Sequence, residues 1–193
     1  MEQPVEKIFT YEDYLALGED TRAELIYGEL YMMSPEPNRR HQYVTGKLFW
    51  QLENFLKDKP CEVYIAPFDV ILFDNDDRTK DIDASVQPDI TVICDKSKLT
   101  DQGCKGSPDL MIKILSQSTG KRDRLDKFKL YQNARIREYW IVDPIHCTVE
   151  TYLLGDNGKF KKNNVYSQTD IIKVNILPGC EIDLSAVFPK DET

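Results

Sequence analysis

The sequence has little of what marks a membrane or exported protein. No apolar run approaches the roughly 20 residues that cross a bilayer. The opening MEQPVEKIFTYEDY carries acids and lacks the apolar stretch of a signal peptide, so a cytoplasmic location is expected. Histidine is scarce, with only His41 and His146. The five cysteines (Cys61, Cys94, Cys104, Cys147, Cys180) form no CxxC pair and no zinc-ligand spacing. An odd, scattered set of this kind reads as reduced thiols acting as small hydrophobes. No GxGxxG, Walker loop or GxSxG elbow is present, which removes the usual signatures of dinucleotide binding, P-loop chemistry and serine hydrolysis. Repeats, low-complexity tracts and Pro/Gly linkers are also missing, so the 193 residues are expected to form one domain, 1–193.

The chain does have acid in excess, with 33 Asp and Glu against 25 Lys and Arg and a net charge of −8. A protein that holds nucleic acid by charge alone is usually basic. Acidity therefore argues against an architectural DNA binder, but not against a nuclease, whose metal centre itself gathers carboxylates. Charged residues at 30% and hydrophobic residues at 41% are an ordinary globular balance.

Periodicity divides the chain into strands and helices. Thr10 to Gly18 reads as a short helix, with Thr10 as N-cap, Asp13 three residues on and Gly18 as the stop. Ala23 to Met33 reads as a hairpin turning at Tyr27-Gly28. Asn38 caps a long helix to about Lys57, with Val44, Leu48, Leu52, Phe55 and Leu56 as its buried stripe. Cys61 to Phe73 has β character, DNDDRTKDIDASVQ is a polar loop, and Pro88 to Ile93 is a short apolar strand. Pro108 to Leu115 reads as a central strand covered on both faces. A helix from about Arg122 to Ala134 then leads to a strand from Glu138 to Val142, which makes a βαβ unit. Strands around Val149–Leu154 and Phe160–Tyr166 follow. The expected class is α/β, a mixed β-sheet with helices on both sides.

A metal-dependent phosphodiesterase needs carboxylates converging from neighbouring strands onto a hard divalent cation, with a lysine near the attacking water or the developing charge. Asp89, at the start of an apolar strand, and Glu24, beside the hairpin turn, are the candidate acids. A turn aspartate and an exposed strand glutamate are the plainer alternatives. Asp123, Lys127 and Tyr131 share one helix face, which could equally be a solvated face.

Taken in order, Glu24-Leu-Ile-Tyr-Gly28-Glu, Ser34-Pro35, His41, Pro88-Asp89, Pro108-Asp109-Leu-Met-Ile-Lys113-Ile-Leu-Ser116, Ser118-Thr119, Asp123, Lys127, Tyr131 and Glu138-Tyr-Trp-Ile-Val-Asp143-Pro144 resemble a large prokaryotic family of restriction-endonuclease-like proteins with the PD-(D/E)XK fold. The resemblance runs from about residue 10 to the C-terminal strands. It implies a DNA endonuclease dependent on magnesium or manganese, with Asp89 and Glu24 as metal ligands and Lys127 as the helix lysine. Glu24, Asp89, Lys113 and Lys127 are then expected in one cleft as the catalytic group.

The chain departs from the family at one telling place. Where the strand acid belongs it has Lys113, and two residues on, at the usual third motif position, stands the apolar Leu115. Alternation places Asp109, Met111, Lys113 and Leu115 on one strand face. If that face looks onto Asp89, an ammonium points at the metal position, and the metal is held weakly or not at all. Three explanations stand: Lys113 pairs with Asp89 or Glu24 and no metal binds, Asp81 or Asp83 takes over, or the change silences a toxic nuclease. A lysine snorkelling from a half-exposed strand end is the plainer alternative.

Basic residues cluster from Lys121 to Arg137. Of these, Lys121, Arg122 and Arg124, with Arg39 and Arg40 at the start of the long helix, are candidate phosphate contacts. A solvated helix face would look the same. The competing function is a nuclease-fold domain that binds DNA or a protein partner without catalysis. A homodimer is expected by analogy with nucleases of this fold that pair to cut two strands.

Overall fold

The structure is a computed structural model that describes residues 7–18, 21–33, 38–72, 84–116 and 120–189, with only the backbone described for 120–125. Helix α1 (Tyr11–Leu15) opens with the expected capping box: Thr10 accepts a hydrogen bond from the Asp13 N–H, and the Asp13 carboxylate accepts one from the Thr10 N–H. Strands β1 (Ala23–Ile26) and β2 (Glu29–Met32) form the expected hairpin. Its turn residues Tyr27 and Gly28 both have left-handed φ, 49° and 82°, as a two-residue turn between twisted strands requires. Helix α2 (Arg39–Leu56) starts at Asn38, whose side chain accepts the His41 N–H, and it buries Val44, Leu48, Leu52 and Leu56. Phe55 of the anticipated stripe is only partly buried.

Beyond α2 the chain is mostly strand. The β character after Cys61 resolves into β3 (Glu62–Ile65) and β4 (Asp69–Leu72). The expected polar loop ends in a strand, β5 (Ala84–Val86), while its residues 73–83 lie outside those described. Three residues with little polarity contrast gave no period to read there, and burial between two neighbouring strands is what makes them β. Strand β6 (Ile90–Ile93) follows, then the short β7 (Leu99–Thr100) and β8 (Gly103–Lys105), neither foreseen. Strand β9 (Leu110–Ile114), helix α3 (Gly120–Asn133) and strand β10 (Glu138–Asp143) form the βαβ unit, with β9 and β10 parallel. Strands β11 (Thr148–Leu154), β12 (Phe160–Ser167), β13 (Ile171–Lys173) and β14 (Glu181–Asp183) complete the order.

Two six-stranded sheets result, β2-β1-β5-β4-β8-β7 and β12-β11-β10-β9-β6-β3, with β13-β14 as a small ribbon. Alternation along β6, β9 and β10 sorts their side chains onto two faces. Ile90, Val92, Leu110, Ile112, Ile114, Trp140 and Val142 pack under α2 and the C-terminal segment. Ile93, Met111, Tyr139 and Ile141 pack on the other face against Leu130, Tyr131 and Ala134 of α3 and against Ile26, Val70, Leu72, Ala84 and Val86 of the first sheet. The α/β class stands as expected, a mixed sheet covered on both faces. The cover on one face is in part a second mixed sheet, which periodicity alone did not reveal.

Polar and covalent ties hold the margins. Glu138, fully buried, accepts hydrogen bonds from the Trp140 indole, the Asn175 amide and the Ile176 N–H, and fastens β10 to the segment before β14. Burial raises its pKa, and those three donors oppose the rise. At one edge of the second sheet Cys61 and Cys94 form a disulfide. This corrects the expectation of five reduced thiols: Glu62 pairs with Ile93, so one further step along the antiparallel register brings the two cysteines face to face. At the opposite edge, β12 exposes Lys161, Lys162, Asn163 and Asn164, and its ladder to β11 shifts register beside Thr151 and Tyr152.

Unfolded without reductant, the chain is expected to show three titratable thiols (Cys104, Cys147 and Cys180); five would mean that Cys61 and Cys94 are reduced. Gly103 sits where a Cβ would meet the Asp69 carbonyl oxygen at 2.1 Å. Gly103→Ala must therefore push β8 off β4, with an expected loss of about 1–3 kcal/mol in denaturant unfolding. An unchanged midpoint would mean that β4 and β8 are not in register as described.

Candidate active site

The site begins with a register. Strands β6 and β9 run antiparallel with Ile90 opposite Ile112 and Thr91 opposite Met111. One step further puts Asp89 opposite Lys113, on the face turned to the first sheet and α3. The Lys113 Nζ lies 2.9 Å from Asp89 Oδ2, and both side chains are about nine-tenths buried. The Ile114 N–H donates to the same oxygen at 2.6 Å. His41, inward on the first turn of α2, brings its Nε2 to 3.2 Å from Asp89 Oδ1. Its Nδ1 lies 3.4 Å from the Thr45 hydroxyl. Burial alone would raise the Asp89 pKa, but the Lys113 ammonium, His41 and the Ile114 N–H overcome it and bring the carboxyl down to about 2.

A second pair forms on the same layer. Leu25 of β1 lies opposite Ser85 of β5, so Glu24 stands near the end of β5, where the Gln87 N–H donates to its Oε1 at 3.0 Å. Lys127 Nζ reaches Oε1 at 2.9 Å and Oε2 at 2.6 Å. Glu24 and Lys127 are 4% and 3% exposed. Lys127 shares its helix face with Leu130 and Tyr131, both in the core. The solvated-face alternative is thereby overturned for Lys127, and its partner is Glu24. Segment Gln87-Pro88-Asp89 links the two pairs, since Gln87 binds Glu24 through its backbone and Asp89 follows two residues later. The Gln87 side-chain amide also donates to Asp69, which accepts from the Tyr14 hydroxyl.

The four predicted residues therefore lie as two buried ion pairs on one layer. Lys113 is neither half-exposed nor snorkelling. Asp81 and Asp83 fall outside the described residues, as do the side chains of Asp123, Lys121, Arg122 and Arg124. Of the other candidate phosphate contacts, Arg39 is exposed, whereas Arg40 is half-buried and donates to the Pro144 carbonyl. His41 appeared in the motif order without a role. Its place was readable all the same, because it precedes Val44 by three residues and so shares the buried side of α2.

The residues present do not fit a divalent cation. Both oxygens of Asp89 and of Glu24 already accept from donors, and one of those donors is the Lys113 ammonium. A doubly charged ion 4 Å from that ammonium would meet a repulsion of roughly 8 kcal/mol at an effective dielectric near 20. Among the described residues no three His, Cys, Asp or Glu side chains gather as a metal cage.

A strand-paired acid beside a parallel βαβ unit, with a lysine-bearing helix laid over it, is the arrangement of a nuclease-like fold. A crystal structure described as that of a putative nuclease belonging to DUF820, from Anabaena variabilis, superposes with a TM-score of 0.69. It covers 93% of this chain and 97% of its own at 18% identity. Residues 10–185 match the Uma2 family, described as putative restriction endonuclease, and the chain belongs to that family. Two uncharacterised proteins of Synechocystis sp. are also similar. One, slr1290, is 26% identical over 150 residues, 76% of this chain and 75% of its own length. The other, sll1609, is 24% identical over 172 residues, 80% of this chain and 93% of its own.

Removing one partner of a buried pair costs about 3–5 kcal/mol, whereas replacing both with apolar groups is often neutral. Asp89→Ala is therefore expected to destabilise by about that amount, and Asp89→Ala with Lys113→Met to recover most of it, in equilibrium denaturation. Equal losses in the single and double variants would show that the pair is not the source. The folded pKa of Asp89, about 2, lies below its ordinary value of 3.8. Its contribution is thus complete above about pH 4 and is lost as pH falls through 2. That is about 2 kcal/mol, and it should vanish from the acid limb of the double variant.

Proposed function

We propose that this chain works on DNA as a nuclease-fold protein whose hydrolytic centre is closed by Lys113, so that it binds without cutting as the sequence stands. One observation carries the reading: the ammonium of Lys113 sits directly across the β6–β9 register on the carboxylate that would otherwise take the metal. Magnesium or manganese chemistry requires Asp89 and Glu24 to offer oxygens to a cation. Here Lys113 and His41 hold the first acid and Lys127 the second. Family membership supports the nuclease ancestry and the choice of DNA as partner. Phosphate contact falls to the exposed Arg39 and to Lys121, Arg122 and Arg124, the basic residues at the start of α3. Association of two copies would set two such surfaces against the two strands, in keeping with the symmetry of a duplex. The cytoplasm, where no membrane separates the chain from DNA, is the compartment this role calls for.

Nicking of supercoiled plasmid with magnesium or manganese tests the reading on three proteins: the unmodified chain, Lys113→Glu, and Lys113→Glu with Asp89→Ala. The expected result is cleavage by Lys113→Glu alone. Cleavage by the unmodified chain would overturn the closed centre and show that other acids serve the metal. Silence from all three would remove Lys113 as the block and leave a binding role only.

A further inference from the structure

The helix that reaches Asp89 from its inner side presents a different chemistry outward. Arg39, Tyr43, Gly46, Lys47 and Trp50 follow one another at helical spacing on the solvent face of α2. Trp50 is 63% and Tyr43 43% exposed, a rare placement for two large aromatics on one stripe. Gly46 lies between them with nothing within 4 Å of where a Cβ would stand. Gln42, Tyr43, Gly46, Lys47 and Trp50 line an open hollow of about 450 Å³. The Lys47 ammonium lies 5.4 Å from the centre of the Tyr43 ring, and Arg39 stands exposed at the head of the stripe.

Charge decides what would lie there. Although the chain carries a net charge of −8, α2 has no acid before Glu53 and begins with two arginines. Cations interleaved with exposed aromatics suit a ligand that is anionic along its backbone and offers flat π faces to stack. The bases of a duplex are stacked inside it and withhold those faces; unpaired bases offer them. Tyr43 and Trp50 are two helical turns apart, about 10 Å along the axis, and the bare Gly46 leaves the floor between them open.

We infer that the outer face of α2 is a stacking platform for single-stranded nucleic acid, with Trp50 and Tyr43 receiving bases and Arg39 and Lys47 receiving phosphates. This rests on the reading that the chain acts on DNA and adds to it the form the nucleic acid takes. His41 leaves the inner side of the same helix for Asp89, so the platform and the closed centre lie on opposite sides of α2.

The chain's tryptophans give a direct readout, since it has two and Trp140 is fully buried. Titration with a short oligothymidylate in EDTA should quench the Trp50 emission, and a duplex of equal length should not. Fluorescence anisotropy of labelled oligothymidylate should show Trp50→Ala binding about five- to a hundredfold more weakly, the range for one lost base–aromatic stack. Lys47→Glu should weaken binding and flatten its salt dependence. Retained circular dichroism and Trp140 emission would certify that the variants fold. Equal binding of single strand by the unmodified chain and Trp50→Ala would overturn the platform. So would binding of duplex alone without quenching, which leaves the DNA reading standing. Failure to bind either nucleic acid would overturn both. Self-association abolished by Trp50→Ala in sedimentation velocity would overturn the platform by giving this face to a second copy.

Discussion

The ion pair between Asp89 and Lys113 is the contact on which the character of this protein turns. Two carboxylates facing one another across adjacent strands repel and need a cation between them. A lysine in one of the two positions supplies the positive charge from the chain itself. The neutralisation is then intramolecular, and it is strengthened by the Ile114 N–H and by His41, which also donate to or face the aspartate oxygens. The same logic recurs at Glu24, where Lys127 and the Gln87 N–H occupy both oxygens. Both carboxylates of the polar centre are thus satisfied from within the chain.

Pairing also explains why these charges tolerate their burial. Each charge lies nine-tenths or more out of water, where an ion without a partner would be prohibitive. Strand register makes the first pair, since Asp89 and Lys113 meet by counting from Ile90 and Ile112. A helix face makes the second, since Lys127 turns inward with Leu130 and Tyr131. Lys113, Glu24 and Lys127 stand on regular elements, while Asp89 sits in the short connection between β5 and β6, one residue before β6 begins.

Much of this was legible in the chain. The Thr10 and Asn38 caps, the hairpin at Tyr27-Gly28, the stripe of α2 and the βαβ unit all rest on local chemistry, and all appear where that chemistry puts them. Alternation along β9 also placed Lys113 on the face of Met111. What escaped was set by distant partners. Strand β5 is three residues long and gains its identity from β1 and β4 on either side. The second sheet is a product of such pairings, and periodicity in one segment cannot announce them. The Cys61–Cys94 bond was hidden for a related reason: the cysteines are 33 residues apart and meet only because β3 lies against β6. Glu24 and Lys127, more than a hundred positions apart, were named for the chemistry they could do. Their direct contact belongs to the packing of α3 over the first sheet.

The outer margin of the second sheet carries a consequence for how copies of this chain can meet. Strand β12 turns a row of lysines and asparagines to water, and its ladder slips beside Thr151. Charge and irregularity of this kind deny a neighbouring strand the flat, unpaired edge it would need. The far margin is stapled by Cys61 and Cys94 to the strand within. Growth by adding strands is thus discouraged at the β12 margin. Copies meeting at that margin would have to join by their side chains rather than by extending the sheet.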